Sequence, residues 1–435
     1  MARTGGGDVN AALAIAPPSP AARRARDLLG LCAVGCALFI PIGKAPFNAF
    51  FALGVLACLA CVVLERDLPR RLLRDPVVAG GIALFVLYAA SMLWSSAPPG
   101  PAVAQLSSYR VLLMPLLFGA ALAEPRWRDR VLAALLASLA LVLVLGWIQA
   151  AWPLPFAKAT HETNRFWPDG TWIAPDVYVF SDRIRQSVHL SLLLLWAAGT
   201  ALLEAAPSPR LRTALALLAI ATAIQMLWLL QGRTGWLASA GVLLYLMHAR
   251  GGWRLVGGAA LAAALLAAGT IGGLGGSQRL ADTAGELRAY RDRGAFNATG
   301  ERIEMWSNAA RMIAASPILG HGIESYPTMS ADMYRAKRRE SAPVYHDPHQ
   351  EFLYVGAELG AVGLVLLLGG LVALWRRAGR FDDRWRWLVR GCVVVYVAAG
   401  LVNCLLNVGW TGYHFGLLLA LAAGRSLDAR GQGAT

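Results

Sequence analysis

Charge is what this sequence has least of. Across 435 residues only 15 % are Asp, Glu, Lys or Arg, against 57 % hydrophobic residues, and the mean hydropathy is +0.50. That balance excludes the two or three soluble domains that length alone would allow. Lysine is nearly missing: of 40 basic residues, only Lys44, Lys158 and Lys337 are not Arg. Cysteine is absent from the long polar connections. All six, Cys32, Cys36, Cys58, Cys61, Cys392 and Cys404, fall in or at the edge of apolar stretches, so no disulfide framework is implied. Cys58 and Cys61 form a CxxC without a nearby His, a second pair or a soluble βαβ context, and read as small membrane-helix hydrophobes. A P-loop pattern is missing, as is an Asp-x-Asp pair of the kind that holds divalent ions for diphosphate chemistry. No small-residue cleavage signature ends the N-terminal stretch, so the first helix is expected to be retained.

What is present is a series of apolar blocks near 20 residues long, the length a helix needs to cross about 30 Å of hydrocarbon. They lie at about 28–44, 47–64, 77–94, 106–123, 131–152, 186–203, 211–230, 234–248, 254–274, 353–375, 387–405 and 409–424. The reading is an all-α polytopic membrane protein of about twelve transmembrane helices with a large helical outer loop. The formal net charge of +14 does not indicate nucleic acid, because most arginines sit in short loops beside these blocks. Every second connection is basic: Arg23, Arg24 and Arg26; Arg66, Arg70, Arg71 and Arg74; Arg126, Arg128 and Arg130; Arg210 and Arg212; Arg250 and Arg254; Arg376, Arg377, Arg380, Arg384 and Arg386. The positive-inside rule then makes both termini cytoplasmic and puts the long connections, about 153–185 and 275–352, outside. Residues 1–26 are expected to form a disordered cytoplasmic tail, 27–274 helices one to nine, 353–424 helices ten to twelve, and 425–435 a cytoplasmic tail.

Four cations stand where helices are expected to meet the outer surface. Lys44 ends the first span, Arg110 lies about one turn inside the fourth, Arg185 opens the sixth, and Arg233 lies in Gln231-Gly232-Arg233-Thr234-Gly235 between the seventh and eighth. A charge held near the apolar region is costly unless it snorkels to the interface or meets an anion. Arg offers a planar fork that grips phosphate oxygens bidentately, and glycine-flanked turns allow close backbone approach. A lipid phosphate or pyrophosphate fits such a layer best.

In the loop 275–352, the run from Thr299 places Ile303, Trp306, Ala310 and Ile313 at helical spacing. Thr299 is the expected N-cap, Arg302 falls in the first turn against the macrodipole, and Ser316-Pro317 ends the helix. Pro317-Ile318-Leu319-Gly320-His321-Gly322 comes next as a tight turn running to Tyr326. Beyond a basic patch at Arg335, Lys337, Arg338 and Arg339, suited either to an anionic acceptor or to plain solvation, comes His346-Asp347-Pro348-His349-Gln350-Glu351-Phe352-Leu353. His349 sits near the outer boundary and can take up a proton near neutral pH, as a general base must. Asp347 and Glu351 are both placed to orient it, while His346, His321 and His161 compete for the role. His346 and His349 are spaced i, i+3 as metal ligands can be, but Pro348 intervenes, and no metal is expected.

These residues resemble the O-antigen ligase and O-antigen polymerase superfamily of bacterial envelope proteins. The match lies in the Arg-Thr-Gly turn at Arg233, the Gly-Glu-Arg helix start at Arg302 with Trp306, the Pro-Ile-Leu-Gly-His-Gly stretch, and His349-Gln350-Glu351-Phe352-Leu353 with the trailing Glu358-Leu359-Gly360-Ala361-Val362-Gly363-Leu364. The sequence departs in having Gln350 where the family usually has Asn or Ser. The resemblance implies a GT-C-like glycosyltransferase in the bacterial inner membrane. It would take a glycan from undecaprenyl diphosphate on the periplasmic face and move it en bloc to a sugar hydroxyl of lipid A-core, without a metal or other cofactor. It further implies His349 as base and Arg233 and Arg302 on the departing diphosphate. Arg185, Arg110 and Lys44 are further substrate-binding candidates from the cationic layer. The rival readings are an O-antigen polymerase, a protein O-oligosaccharyltransferase, or, in a different class, a transporter of lipid-linked sugars.

Overall fold

In the computed structural model of the chain, residues 19–152, 154–156, 177–205, 208–230, 233–271, 276–294, 296–337 and 344–432 are described, and all secondary structure among them is helical. The elements are α1 (Pro20–Phe39), α2 (Lys44–Leu64), α3 (Leu68–Leu73), α4 (Pro76–Ser91), α5 (Pro99–Ser108), α6 (Met114–Leu122), α7 (Pro125–Ala151), α8 (Arg183–Leu203), α9 (Pro209–Ile224), α10 (Arg233–Ile271), α11 (Gly276–Arg293), α12 (Ala298–Ala315), α13 (Ser325–Ala336), α14 (Glu351–Ala378), α15 (Asp383–Gly400) and α16 (Gly409–Gln432). Several starts are set by a capping side chain and the proline after it. Ser19, Asp75 and Ser208 each accept a backbone N–H from the first turn, with Pro20, Pro76 and Pro209 at the first helical position, where a missing N–H costs nothing.

Among the described residues, six helices are long and apolar enough to cross a membrane: Lys44–Leu64, Pro99–Leu122, Pro125–Ala151, Arg183–Leu203, Pro209–Leu227 and Glu351–Ala378. The other expected spans are helical but shorter or more charged. Pro76–Ser91 has 16 residues, and α15 begins Asp-Arg-Trp-Arg. The eighth and ninth expected spans form one element, α10, broken only at Gly252 (φ 68°, ψ −169°) rather than by a loop. Both expected tails are shorter than their sequence suggests. Helix α1 begins at Pro20, and α16 continues through Arg425, Ser426 and Asp428, whose side chains are held by the bundle. Arg425 pairs with Asp382 and Asp428 at 2.9 Å each, Arg128 with Asp428 at 2.7 Å, and Arg377 with the buried Asp75 at 3.0 Å. Arg128 and Arg377, from two of the basic connections, therefore lock the bundle at that end together with Arg425. Residues 1–18 and 433–435 lie outside the described residues.

The core is a packed bundle: α1 lies on α2 and α7, α8 on α9, α10 and α15, and α14 on α4 and α15, while α16 lies on α6. Between α5 and α6, residues Tyr109–Leu113 tighten into a 3-10 helix. Pro115 is one cause, since it cannot donate to the Val111 carbonyl. The Val111 carbonyl accepts Met114 N instead, and the carbonyls of Leu112 and Val111 face Gly81 and Gly416, where a Cβ would come within 2.3 and 2.5 Å of them. At the site end, α11, α12 and α13 stand on α10 and α14.

Candidate active site

Two of the glycine-containing motifs form one clasp. Helix α14 breaks at Gly360 (φ 61°, ψ −156°), and the opened carbonyls and amides are taken up by the turn after α12. His321 N donates to Ala357 O (3.0 Å), Gly322 N to Glu358 O (2.8 Å), Ala361 N to Pro317 O (2.8 Å) and Val362 N to Ile318 O (3.2 Å). Gly320 (φ +66°) and Gly360 meet back to back: a Cβ on Gly320 would lie 2.4 Å from Glu358 C, and one on Gly360 2.4 Å from Ile318 C. The Glu358 carboxylate accepts Glu324 N at 2.6 Å, and Ser91 Oγ accepts Ile323 N at 3.0 Å. The Pro-Ile-Leu-Gly-His-Gly stretch is thus a structural strap that fixes α12 and α13 on α14. His321 is spent within it, its Nε2 2.9 Å from Met312 O.

Helix α12 starts two residues earlier than expected. Asn297, not Thr299, is the N-cap and accepts Gly300 N at 2.8 Å, while Thr299 donates its hydroxyl to Glu286 on α11. The Asn side chain reaches the orphan amide directly, and Thr299 becomes available for a tertiary bond. Arg302 is then the fifth helical residue, beyond the first turn, so the expected opposition to the macrodipole is small. The helix ends at Ala315 with Ser316 as C-cap, as the Ser316-Pro317 pair implies. Trp306, one turn beyond Arg302 on the same face, donates Nε1–H to Pro348 O at 3.1 Å. That bond carries the Arg302 face of α12 to the histidine loop.

His349 stands just before α14 in a left-handed conformation, φ 50°, and Gln350 caps the helix by accepting Leu353 N. Gln350 thus fills the N-cap with a longer side chain than the Asn or Ser expected there, which are ordinary N-caps. His349 N donates to Asp347 Oδ1 at 2.8 Å, and Nδ1 lies 3.0 Å from the same oxygen. Nδ1 is shielded from solvent and its approach to the carboxylate is oblique, whereas the side chain as a whole is 40 % exposed. The exposure falls on the other edge of the ring, which carries Nε2. Burial works against the charge on Asp347, but the contacts from His349 outweigh it and hold the carboxyl below the usual aspartate range. His346 points elsewhere, 3.9 Å from Glu324 and 81 % exposed.

The structure separates the two carboxylates flanking His349. Glu351 is buried and turned away, accepting Leu405 N and, at 3.3 Å, Leu406 N in the segment between α15 and α16. It is a brace, not an orienter of the imidazole. Replacing Glu351 with Ala leaves two amides without their acceptor and should lower stability by about 1–3 kcal/mol, read as a fall in the melting midpoint in detergent; an unchanged midpoint would refute the bracing role.

No motif marks that segment, 401–408, in the sequence, where it reads as the margin of two spans. It gathers the site. Asn403 Nδ2 donates to Thr234 Oγ1 at 3.0 Å, Asn407 Nδ2 lies 3.5 Å from Asp347 Oδ2, and Thr411 Oγ1 donates to Leu405 O at 2.9 Å. Thr234 is next to Arg233, the first residue of α10, and Gly235 packs so close to α8 that a Cβ would lie 2.3 Å from Ser187 Cβ. The backbones carrying Arg233 and His349 are thereby tied to one short stretch. The Arg233 side chain itself lies outside what is described.

The four cations of the expected layer have different surroundings. Lys44 opens α2 rather than ending α1, and is exposed. Arg110 lies eleven residues beyond Pro99, not one turn inside its helix, yet its partners Asn48 (2.6 Å) and Tyr413 (2.8 Å) are each the fifth residue of α2 and α16. Its guanidinium also lies 5.4 Å from the Phe51 ring centroid. Asn48 and Tyr413 are both neutral, so those bonds leave its positive charge in place. Arg185, on the first turn of α8, pairs with Asp182 at 3.0 Å, and α8 packs on α10, which Arg233 opens. In the basic patch, Arg335 pairs with Asp332 at 2.6 Å and Lys337 with Glu304. Those two are neutralised, while Arg338, Arg339 and His161 lie outside the described residues.

No group of three or more His, Cys, Asp or Glu is assembled as a metal-ligand set among the described residues. No curated protein matches the chain. A family model described as O-antigen ligase matches residues 217–368, a stretch that contains Arg233, Arg302, the glycine clasp and His349. Segment 401–408, with Lys44, Arg110 and Arg185, lies outside that match. The motifs the family model spans are the ones the fold joins into the clasp and the histidine loop, and over residues 217–368 the chain is similar to the O-antigen ligase family.

Proposed function

We propose that this protein is an O-antigen ligase, which moves a polysaccharide en bloc from undecaprenyl diphosphate to a sugar hydroxyl of lipid A-core. The family match over residues 217–368 supports a glycosyltransferase acting on lipid-linked glycan and lipid A-core type substrates in general. The observation that carries the reading is the histidine loop. His349 presents its Nε2 edge outward while Asp347 backs Nδ1, and the loop is tied through 401–408 to the start of α10, where Arg233 stands.

In this reading His349 Nε2 takes the proton of the acceptor hydroxyl as that oxygen attacks the anomeric carbon from the face opposite the diphosphate. The carbon–oxygen bond to the diphosphate breaks with inversion, and the leaving group keeps the electron pair. Arg233 and Arg302 meet the charge that develops on it, with Arg185 beside them. A diphosphate so neutralised leaves without an acid, and the step needs no metal. Arg110 and Lys44 are weaker contributors to substrate binding. The site end faces the periplasm and both termini the cytoplasm of the inner membrane; the arginine-rich opposite end supports that orientation.

The test is transfer by purified protein in detergent with diphosphate-linked glycan, with and without EDTA, offering either lipid A-core or a second carrier-linked glycan. EDTA-resistant product on lipid A-core is expected; product on the carrier-linked acceptor alone would make the protein a polymerase. In the same assay Arg233→Ala should lose both carrier binding and transfer. Normal binding and transfer by that variant would remove Arg233 from the site.

A further inference from the structure

We infer that Asp347 is a positioning residue for His349: its carboxylate fixes the ring orientation and the tautomer with the proton on Nδ1, leaving Nε2 unprotonated and aimed at the acceptor. This inference rests on His349 being the base. The superfamily resemblance concerns the histidine and the residues C-terminal to it, and assigns nothing to Asp347.

The local chain leaves little freedom. Pro348 fixes its own φ and biases Asp347 towards an extended backbone. Asp347 Oδ1 then closes a turn on His349 N at 2.8 Å. That turn sets His349 at φ 50°, a conformation a residue with a Cβ seldom adopts without local support. The left-handed step folds the imidazole back over the carboxylate that made the turn, so one oxygen serves both the backbone amide and Nδ1, the latter at 3.0 Å. The second oxygen is held from behind by Asn407 at 3.5 Å, and the Trp306 bond to Pro348 O fixes the intervening peptide. A neutral imidazole next to a carboxylate puts its proton on the nearer nitrogen, because the carboxylate only accepts. The proton is therefore on Nδ1, and the lone pair faces out at Nε2. The Nδ1 approach is oblique. Catalytic contacts of this kind are often poorly aligned without substrate and tighten when it binds.

No proton leaves Asp347 or reaches it in this account. During transfer the acceptor proton moves to Nε2, the ring becomes a cation, and the adjacent carboxylate stabilises it until the proton passes to water.

The decisive comparison uses full-length protein in detergent carrying Asp347→Asn, Asp347→Glu or His349→Ala, with three readings: carrier-lipid affinity, kcat and KM for transfer, and the imidazole nitrogen-15 spectrum, with the His349 signals assigned by their loss in His349→Ala. Asp347→Asn should bind carrier lipid with unchanged affinity and keep KM, while kcat falls by about 10²-fold or more. The His349 signals should shift away from the Nδ1-protonated form. Asp347→Glu, which restores the charge on a longer arm, should recover part of kcat. A folded Asp347→Asn with wild-type kcat, or with a lowered kcat but an unchanged tautomer, would overturn the inference while His349→Ala stays inactive. A His349→Ala that transfers normally would instead overturn the assignment of His349 as base. If Asp347→Asn fails to fold, the wild-type nitrogen-15 spectrum decides alone: His349 protonated on Nε2 in the neutral ring contradicts the inference.

Discussion

Replacing His349 with Ala should cut transfer by about 10²- to 10⁴-fold, the range general-base catalysis supplies, while carrier-lipid binding persists. The backbone complicates the Ala variant, because position 349 sits at φ 50°, a region that Ala enters less readily than His. His349→Asn resolves the ambiguity. Asn enters the left-handed region more readily than Ala and cannot take up a proton near neutral pH. Equal loss of transfer in both variants, with the melting midpoint near wild type in the Asn variant, is the expected result. Full activity in either would remove His349 as base, and a loss confined to Ala would assign the effect to the backbone.

The second large effect is expected at the glycine clasp. Gly360 combines φ 61° with ψ −156°, a region only glycine occupies comfortably, at about 1–3 kcal/mol for any other residue. A methyl there would also meet the Ile318 carbonyl carbon and oxygen at 2.4 Å and Gly320 N at 2.7 Å. These are backbone atoms that cannot swing aside. Gly360→Ala should therefore destabilise by about 3 kcal/mol or more, and transfer should fall with it, since the strap from 317 to 324 positions the helices around the histidine loop. Gly369→Ala is the control: it lies in the same helix, and its Cβ would meet nothing within 4 Å, so its midpoint should match or slightly exceed wild type. Equal midpoints for Gly360→Ala and wild type would show that the clasp does not hold the two motifs together.

The all-helical, membrane-spanning character is legible in the sequence because burial in lipid demands long apolar runs, and those survive in any packing arrangement. The helix over α12 and its end at Ser316-Pro317 are legible for a similar reason, being fixed by periodicity and proline. The resemblance, too, can be read from Arg233, Arg302, the glycine stretch and His349, all within the matched residues 217–368. Local chemistry misleads where two capping residues lie close together. Asn297 and Thr299 are both good N-caps, and the choice between them is made by Glu286 on α11, which takes the Thr299 hydroxyl.

Residues far apart in the chain, and those equally near a third, acquire their roles only on folding. Asp347 and Glu351 are equally near His349 in sequence. Because one precedes the left-handed turn and the other opens the helix, Asp347 folds under the ring and Glu351 points to Leu405 and Leu406. Arg110 finds Asn48 and Tyr413, and Thr234 finds Asn403, across separations of 62, 303 and 169 residues. Such pairings leave no periodicity or local spacing to read, because they depend on which helix ends the bundle brings together. The order of residues along the chain sets the solvent, the helices and the side chains capable of the chemistry. Helix packing selects their partners, because a single charge or hydroxyl gains its role from the groups within a few ångströms of it.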